Sequence, residues 1–168
     1  MKLKSIICSG AMLLLSQNVY ALEELNSFMG FNFGSAYTTL AQPAKQSKEG
    51  NLYFLNAKKV PSPDNYYQDF FVYTTAKTGL INGIGAAKEF KDNDSCKIEL
   101  QNKISDLEKV YGKSFKSEDG NTYSIPDYNK PSRALNMFCN DKIMVISVQD
   151  LLLTQQSIKE YEDIQTKK

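Results

Sequence analysis

Two cysteines, Cys96 and Cys139, follow an N-terminal segment of the kind that directs export, and they are 43 residues apart. In a small exported domain such a pair predicts a disulfide, which on closing a loop of this length contributes on the order of 4 kcal/mol in the chain-entropy model. Two buried free thiols or a redox-active pair are the alternatives, although no C-x-x-C spacing favours the redox role. The third cysteine, Cys8, lies inside the export segment. The pair therefore restricts which parts of the chain can meet.

The oxidising compartment is predicted from residues 1–21, which we interpret as a signal peptide ahead of a single globular domain, residues 22–168. A basic start precedes an apolar stretch, and the slender Val19 and Ala21 stand three and one residues before the expected cleavage point. A membrane-spanning helix needs about 20 apolar residues, roughly twice what this stretch offers. We therefore expect a periplasmic or secreted protein without a membrane span after cleavage.

Composition excludes several classes of function. Removing Lys2 and Lys4 from the 20 basic residues leaves 18 against 19 acidic ones, so the exported chain has no basic footprint for nucleic acid. The chain contains no histidine, which removes histidine-based hydrolases, histidine-ligated zinc and imidazole proton shuttles. Carboxylate, lysine and tyrosine chemistry remain possible, but no catalytic constellation of such residues is evident, so we expect no catalytic residues, no metal site and no cofactor.

Hairpins dominate the predicted secondary structure. Strand-forming runs at 69–76 and 80–87 flank a turn that contains Gly79, and a second pair at 133–139 and 142–148 flanks Asn-Asp. Within the first hairpin, Gly83 and Gly85 indicate a bulge or a place where something packs close to the backbone.

The helices are predicted from spacing and from capping residues. Cys96, Leu100, Ile104 and Leu107 fall on one face of a helix over residues 95–111. Four further elements are strands at 28–33 and 52–55, two helical turns at 36–42 and a last helix from Leu151 to about 166, whereas 113–131 is predicted to be a surface loop. The fold class is α+β, with two layers: a mainly antiparallel sheet of about five to six strands and helices on one face.

Several short motifs carry a resemblance to a known group of proteins. They are Phe-Met-Gly-Phe at 28–31, Gly-Ser at 34–35, Cys96 at the start of a helix, Leu-Glu-Lys-Val-Tyr-Gly at 107–112 at its end, and Cys139 in a late strand. This arrangement resembles small uncharacterised periplasmic proteins of Gram-negative bacteria. The resemblance implies an exported α+β fold and implies no activity and no functional residue.

A partner surface is the functional feature that the sequence favours. Tyr66 and Tyr67 precede a strand and are expected to be the exposed members of an aromatic cluster, and aromatic side chains often anchor interfaces. Tyr123, Tyr128 and Arg133 lie in or directly after the long predicted loop, and such loops are often functional. The alternative for the aromatic cluster is a strand whose rings are shared between the core and its rim.

The predicted function is that of a small exported binding protein, either an inhibitor, an immunity protein or an envelope accessory factor, whose partner is another envelope or secreted protein. One alternative is a carboxylate-type hydrolase of cell-wall glycan, for which Asp64, Asp69, Asp92 and Asp94 would have to supply two groups about 5–9 Å apart. Loops and caps explain these aspartates more simply. A secreted effector directed at a host is the third hypothesis.

Overall fold

A computed structural model of the protein describes residues 25, 27–39, 41–112, 114–117, 122–126 and 132–167. The predicted signal peptide and Tyr128 lie outside these residues. The strands of the described part are β1 (Ser27–Phe28), β2 (Phe31–Asn32), β3 (Lys45–Ser47), β4 (Gly50–Leu55), β5 (Asp69–Thr74), β6 (Ile81–Glu89), β7 (Lys116–Ser117), β8 (Thr122–Pro126), β9 (Arg133–Asn140) and β10 (Ile143–Asp150). The helices are α1 (Asn93–Tyr111) and α2 (Leu151–Gln165), with a 3₁₀ turn at Ala57–Lys59.

Eight of these strands form one antiparallel sheet, in the order β3-β4-β5-β6-β10-β9-β8-β7, and β1 and β2 form a separate small hairpin. The large sheet consists of two four-stranded meanders that meet where β6 pairs with β10. Each meander is followed in the chain by a helix, α1 after β6 and α2 after β10. The fold is therefore α+β with an antiparallel sheet, as predicted, but the predicted five to six strands are too few.

The three strands that the sequence analysis missed are β3, β7 and β8. The first two have only two or three residues and a polar sequence, and they occupy the two edges of the sheet. Short edge strands that carry lysine protect a sheet from unwanted pairing, and they have no hydrophobic alternation to reveal them. The predicted loop at 113–131 is therefore partly a β-hairpin, which adds β7 and β8 beside β9.

The N-terminal segment also differs from expectation. The predicted strand at 28–33 divides into β1 and β2 because Met29 and Gly30 take positive φ angles of 50° and 80°. The described residues at 36–39 and 41–42 form no helix. The Tyr37 N–H instead donates to the carbonyl of Gly79 at 2.9 Å, which holds the segment extended beside the start of β6.

The hydrophobic core lies on one face of the large sheet. Strand register places on that face the buried side chains Phe70, Val72, Ile81, Ile84, Ala86, Leu135, Met137, Met144, Ile146 and Val148. Cys96, Leu100 and Ile104 of α1 and Phe33 of the N-terminal segment complete this core. The buried residues of α2 are Ser157 and Glu160, which contact the β5–β6 turn at one end of the sheet. Of the two helices, α1 is therefore the one that contributes buried side chains to the core.

A disulfide between Cys96 and Cys139 joins α1 to β9, across a Cα–Cα distance of 6.2 Å. The Asp92 side chain begins α1 by accepting a hydrogen bond from the Ser95 N–H at 2.8 Å. Gly112 ends the helix in the left-handed conformation, with φ of 62°. The cysteine in the first turn of the helix therefore lies over the sheet, as the apolar spacing of the helix predicts.

The opposite face of the sheet explains the glycines of β6. The ring of Phe71 packs directly over Gly85, where a Cβ atom would collide with the ring and lie 2.7 Å from the carbonyl oxygen of Ile146. The neighbouring Gly83 is less crowded, since the nearest atom to its Cβ position is the Tyr73 Cβ at 3.2 Å. The predicted close approach to the backbone of β6 is therefore made by the aromatic rings of β5.

Removing the disulfide should weaken the fold substantially. We expect the double variant Cys96→Ala/Cys139→Ala to lose about 2–5 kcal/mol of unfolding free energy, because the loop it closes is long. Urea unfolding followed by circular dichroism measures the loss. Dithiothreitol should lower the unfolding midpoint of the wild type and leave that of the variant unchanged; a wild type that is insensitive to reduction would contradict this.

The crowding at Gly85 predicts a graded response to alanine. Gly85→Ala should cost about 1–3 kcal/mol, since Phe71 must leave its rotamer and the Ile146 carbonyl cannot move freely. Gly83→Ala should cost less, because a small shift of Tyr73 makes room. The comparison of the two urea midpoints is the measurement, and equal losses would show that the Phe71 contact is not the cause.

Candidate functional site

Tyr66 is held between the sheet and α1 and does not project freely from a loop. Its hydroxyl donates to the Glu99 carboxylate at 2.6 Å. The ammonium groups of Lys88 and Lys103 lie 3.7 Å and 3.8 Å from the centre of its ring. Burial and the hydrogen bond to Glu99 raise the pKa of Tyr66, so the phenol stays protonated. Two cation–π contacts and a charge-assisted hydrogen bond of this kind stabilise the packing of α1.

The expectation that Tyr67 is exposed is wrong, because only 8 % of this residue is accessible and its ring belongs to the core. The loop folds back because the Tyr67 N–H donates to the carbonyl of Asp64 at 3.1 Å and the next N–H, of Gln68, bonds to Ala87 of β6. Sequence position before a strand therefore did not determine exposure. A role of this tyrosine in partner binding stays a prediction.

Arg133 is likewise buried, with 8 % of its surface accessible. Its Nε donates to the Asp150 carboxylate at 2.8 Å, and another guanidinium nitrogen donates to the carbonyl of Leu25 at 2.6 Å. The guanidinium carbon also lies 4.8 Å from the centre of the Phe33 ring. The residue therefore joins the start of β9, the end of β10 and the N-terminal segment.

Tyr123 packs partly against the core, and its hydroxyl accepts a hydrogen bond from Gln101 of α1 at 2.9 Å. Tyr128 lies outside the described residues. Tyr66, Tyr123 and Arg133 thus make separate sets of contacts. Their hydrogen-bond partners are Glu99, Gln101 and Asp150, respectively. Whether any of them contacts a partner stays a prediction.

A site that the sequence analysis missed lies beside the junction of the two meanders. It is a cavity of about 100 Å³ whose walls come from five separate parts of the chain. Its lining residues are Glu49 of the β3–β4 turn, Tyr73 of β5, Asn82 and Gly83 of β6, Gln149 of β10 and Thr154 of α2. All of them except Gly83 carry a side-chain oxygen, so the cavity is rich in hydrogen-bond acceptors.

A β-bulge places Asn82 in this wall. Tyr73 pairs with Gly83 and the next residue, Thr74, pairs with Ile81, which leaves Asn82 as the extra residue of β6. A bulge of this kind re-aims one side chain out of the regular alternation. The sequence signal was the glycine next to it, although glycine alone could not show which side chain the bulge redirects.

Asn82 is buried, with 1 % of its surface accessible, and half of its amide is engaged. Its Nδ2 donates to the carbonyl of Glu49 at 2.9 Å, which fixes the orientation of the group. Its Oδ1 accepts no hydrogen bond from any residue that the structure describes. A buried acceptor without a partner lowers the stability of the fold by about 1–3 kcal/mol.

A second buried amide serves as a comparison. Asn51 also has an Oδ1 without a partner among the described residues, while its Nδ2 donates to the carbonyls of Thr75 and Ala76. Asn51 is not among the residues that line the cavity. Asn82 therefore differs from it in combining the unsatisfied acceptor with a place in the cavity wall.

The charge of the lining residues is negative. Glu49 is the ionisable acid among them, and none of them is lysine or arginine. Burial and then the nearby Glu49 carboxylate raise the pKa of Tyr73, so its hydroxyl remains neutral. The site therefore presents one carboxylate and neutral polar side chains to whatever enters it. The unsatisfied Oδ1 of Asn82 is not part of that accessible surface, since less than 1 Å² of it is accessible.

Helix α2 is anchored through polar contacts to the β5–β6 turn, and this anchoring positions Thr154 in the cavity wall. The Ser157 hydroxyl accepts from the Ala76 N–H at 3.0 Å. The Glu160 carboxylate accepts from the Lys77 and Thr78 N–H groups at 2.7 Å and 3.0 Å and from the Thr78 hydroxyl at 2.7 Å. A buried carboxylate with this many donors holds the helix firmly against the turn.

Metal binding and carboxylate catalysis, which the sequence analysis considered, have little support among the described residues. No group of three or more histidine, cysteine, aspartate or glutamate side chains there could hold a metal ion. Asp64 accepts a hydrogen bond from the Tyr66 N–H within its own turn, and Asp92 caps α1. Neither α1 nor α2 is long and apolar enough to cross a membrane.

Comparison with protein-family models, with curated proteins and with solved structures finds no match.

The Glu160 network predicts an acid-sensitive contribution to stability. Burial by itself would raise the pKa of Glu160, but the hydrogen bonds from Thr78, Gln156 and the turn backbone lower it from the ordinary value of 4.5 to about 2. A carboxyl group with a depressed pKa stabilises the fold fully above the ordinary value, and this contribution disappears as the pH falls towards 2. Glu160→Gln should therefore cost about 1–3 kcal/mol at neutral pH.

The measurement is the difference in unfolding free energy between wild type and Glu160→Gln at several pH values. The difference should shrink as the pH falls below about 4.5. Glu162→Gln, on the exposed side of the same helix, is the control and should change little at any pH. A difference that stays constant down to pH 2.5 would show that ionised Glu160 is not the stabilising group.

Proposed function

We propose that the protein is exported and acts as a small binding protein, with the cavity at the junction of the two meanders as its ligand site. The observation that supports the site is the cavity itself, which five separate parts of the chain line with one carboxylate and four neutral side chains that carry oxygen. Concave sites with convergent polar groups are the ones that bind and orient small ligands.

Export is supported by the disulfide and by the leader-like first 21 residues, because disulfides persist in oxidising compartments. The resemblance of the short motifs to periplasmic proteins of Gram-negative bacteria agrees with this. We therefore place the protein in the periplasm or outside the cell, where its partner would be another envelope or secreted protein. An inhibitor, an immunity protein and an envelope accessory factor all fit this role.

The size of the cavity limits what it can hold. Sites for drug-sized ligands have volumes of about 300–1,000 Å³, and one water occupies about 30 Å³ in the liquid. A volume of about 100 Å³ therefore accepts a small molecule or the end of one side chain. The hydrolase and the host-directed effector stay alternatives that no contact among the described residues favours.

Binding in the cavity can be tested by nuclear magnetic resonance on the ¹⁵N-labelled protein with its disulfide intact. A library of small polar fragments should include members that shift the backbone signals of Gly83 and Gln149 and the side-chain amide of Asn82. Thr154→Leu replaces a polar wall residue with a larger apolar one, so it should abolish these shifts.

The matched control is Gln155→Leu, which makes a similar change at the exposed neighbouring position of α2. This variant should bind as the wild type does. Circular dichroism confirms that both variants fold. Fragments that bind only elsewhere, or that bind Thr154→Leu equally well, would remove the cavity as the ligand site.

A further inference from the structure

The face of the large sheet that points away from the core carries exposed apolar side chains. Strand register places Phe54 of β4 beside Phe71 of β5, and Phe71 pairs in turn with Gly85 of β6. Phe54 is 67 % exposed, more than any other large hydrophobic side chain that the structure describes. An antiparallel sheet usually turns polar side chains to water on the face that does not pack on the core. The exposed ring therefore departs from the usual pattern.

The apolar surface continues across the sheet as far as β9. Register adds Ile143 and Val145 of β10 and Phe138 of β9 to the same face. Ile143 is 41 % exposed, and the other two side chains are half-buried. Together with Phe54 and Phe71 these three residues form what we call the open patch. A contiguous apolar patch on a protein surface marks an interaction site more often than scattered apolar residues do.

Few charges reach this face. Of the described residues that β4, β5, β6, β9 and β10 turn towards it, the charged ones are Asp69 and Glu89. Both lie at the end of a strand, and the Glu89 carboxylate pairs with the Lys142 ammonium at 2.5 Å. Aromatic side chains with few charges among them are the composition of an interface centre. Two copies of the face would therefore meet without like charges opposed at their middle.

The shape of the face is complementary to itself. From β4 to β9 the strand order is β4-β5-β6-β10-β9, so β6 is the middle strand. The row of side chains that crosses β6 at Gly85 begins with Phe54 and Phe71 on one side and ends with Ser147 and Asn136 on the other. One half of this row is high and aromatic, and the other half is low.

A two-fold axis that runs along β6, between two facing sheets, would place the high half of each copy on the low half of the other. This is the arrangement of an isologous interface, in which one surface is used twice. Facing sheets in proteins pack about 10 Å apart with their strands nearly aligned, which such an axis allows.

The size of the face suits a weak dimer. Its five strands have six to nine residues each. With about 4.8 Å between strands and about 3.3 Å per residue, they present a flat area of about 500 Å². Two copies would bury about 1,000 Å², which is near the lower limit for a specific interface. The expected dissociation constant is therefore micromolar.

We propose that this protein forms a symmetric dimer in which the open patches of two copies pack face to face. The inference does not rest on the ligand site, because the cavity lies where α2 borders this face and none of its lining residues belongs to the open patch.

Sedimentation equilibrium of the exported protein with its disulfide intact tests the dimer. Between about 1 µM and about 500 µM the mass should rise from that of one chain towards that of two. Raising sodium chloride from about 50 to about 500 mM should not weaken the association, because apolar contact and not ion pairing drives it. A mass of one chain at every concentration would overturn the proposal.

Two matched variants assign the face. Phe54→Lys puts a charge into the open patch at an exposed position, so it should fold normally and raise the dissociation constant at least about tenfold. The control is Ile98→Lys on α1, where the replaced side chain is 65 % exposed, and it should leave the constant unchanged. Circular dichroism confirms folding. If Phe54→Lys does not fold, Ile143→Lys makes the same test. Equal weakening by the Ile98 control, or none by the patch variants, would overturn the proposal.

Dilution of the ¹⁵N-labelled protein, followed by nuclear magnetic resonance, locates the contact. The backbone signals of Gly85, Val145 and Ser147 should change with concentration. Changes confined to Lys45–Ser47 would show pairing through the edge strand β3 and would overturn the face-to-face dimer. A protein that stays monomeric but binds an apolar fluorescent dye, and loses the dye in Phe54→Lys, would assign the open patch to a different protein and overturn the second copy as its occupant.

Discussion

The pairing of β6 with β10 is the contact on which the rest of the molecule depends. It joins two four-stranded meanders that would each be a separate, half-covered sheet, and it runs over seven residue pairs, from Ile143 with Glu89 to Gln149 with Gly83. The last of these pairs lies in the cavity wall. The candidate site therefore lies where the central ladder ends and the bulge at Asn82 begins.

Three polar or covalent contacts hold the remaining parts to this ladder. The disulfide fixes α1 over β9, and the Arg133–Asp150 pair joins the ends of β9 and β10 to the N-terminal segment. Glu160 holds α2 against the β5–β6 turn. A buried ion pair is weak evidence for net stability, but loss of one partner leaves a buried charge, so the Arg133–Asp150 pair specifies how the N-terminal segment packs.

The sequence predicted the elements that have strong local signals. The two hairpins, α1, α2 and the Cys96–Cys139 pair follow from strand alternation, helical spacing and the pairing of cysteines in an exported domain. The strands β3, β7 and β8, at or near the edges of the sheet, were not predicted. Backbone hydrogen bonds with neighbouring strands hold them in place, and their own side chains give little sign of it. The exposure of Tyr67 was misjudged for a related reason, since long-range packing decides it.

The candidate site could not be predicted because its walls are far apart in the chain. Glu49 and Gln149 are 100 positions from each other in the sequence and meet only when β6 has paired with β5 and β10. Glycine at 83 did indicate a bulge, but the identity of the residue that the bulge turns inward depends on the register of Tyr73 and Thr74. Chemistry that rests on a register shift is visible only in the folded chain.

The proposed function depends on the cavity where the central ladder ends. A crystal structure of the disulfide-bonded protein with a fragment that shifts the Gly83 and Gln149 signals tests it most directly. We expect the fragment to lie in the cavity, in contact with Tyr73 and Thr154. A fragment bound elsewhere on the protein, with only water in the cavity, would contradict the proposal.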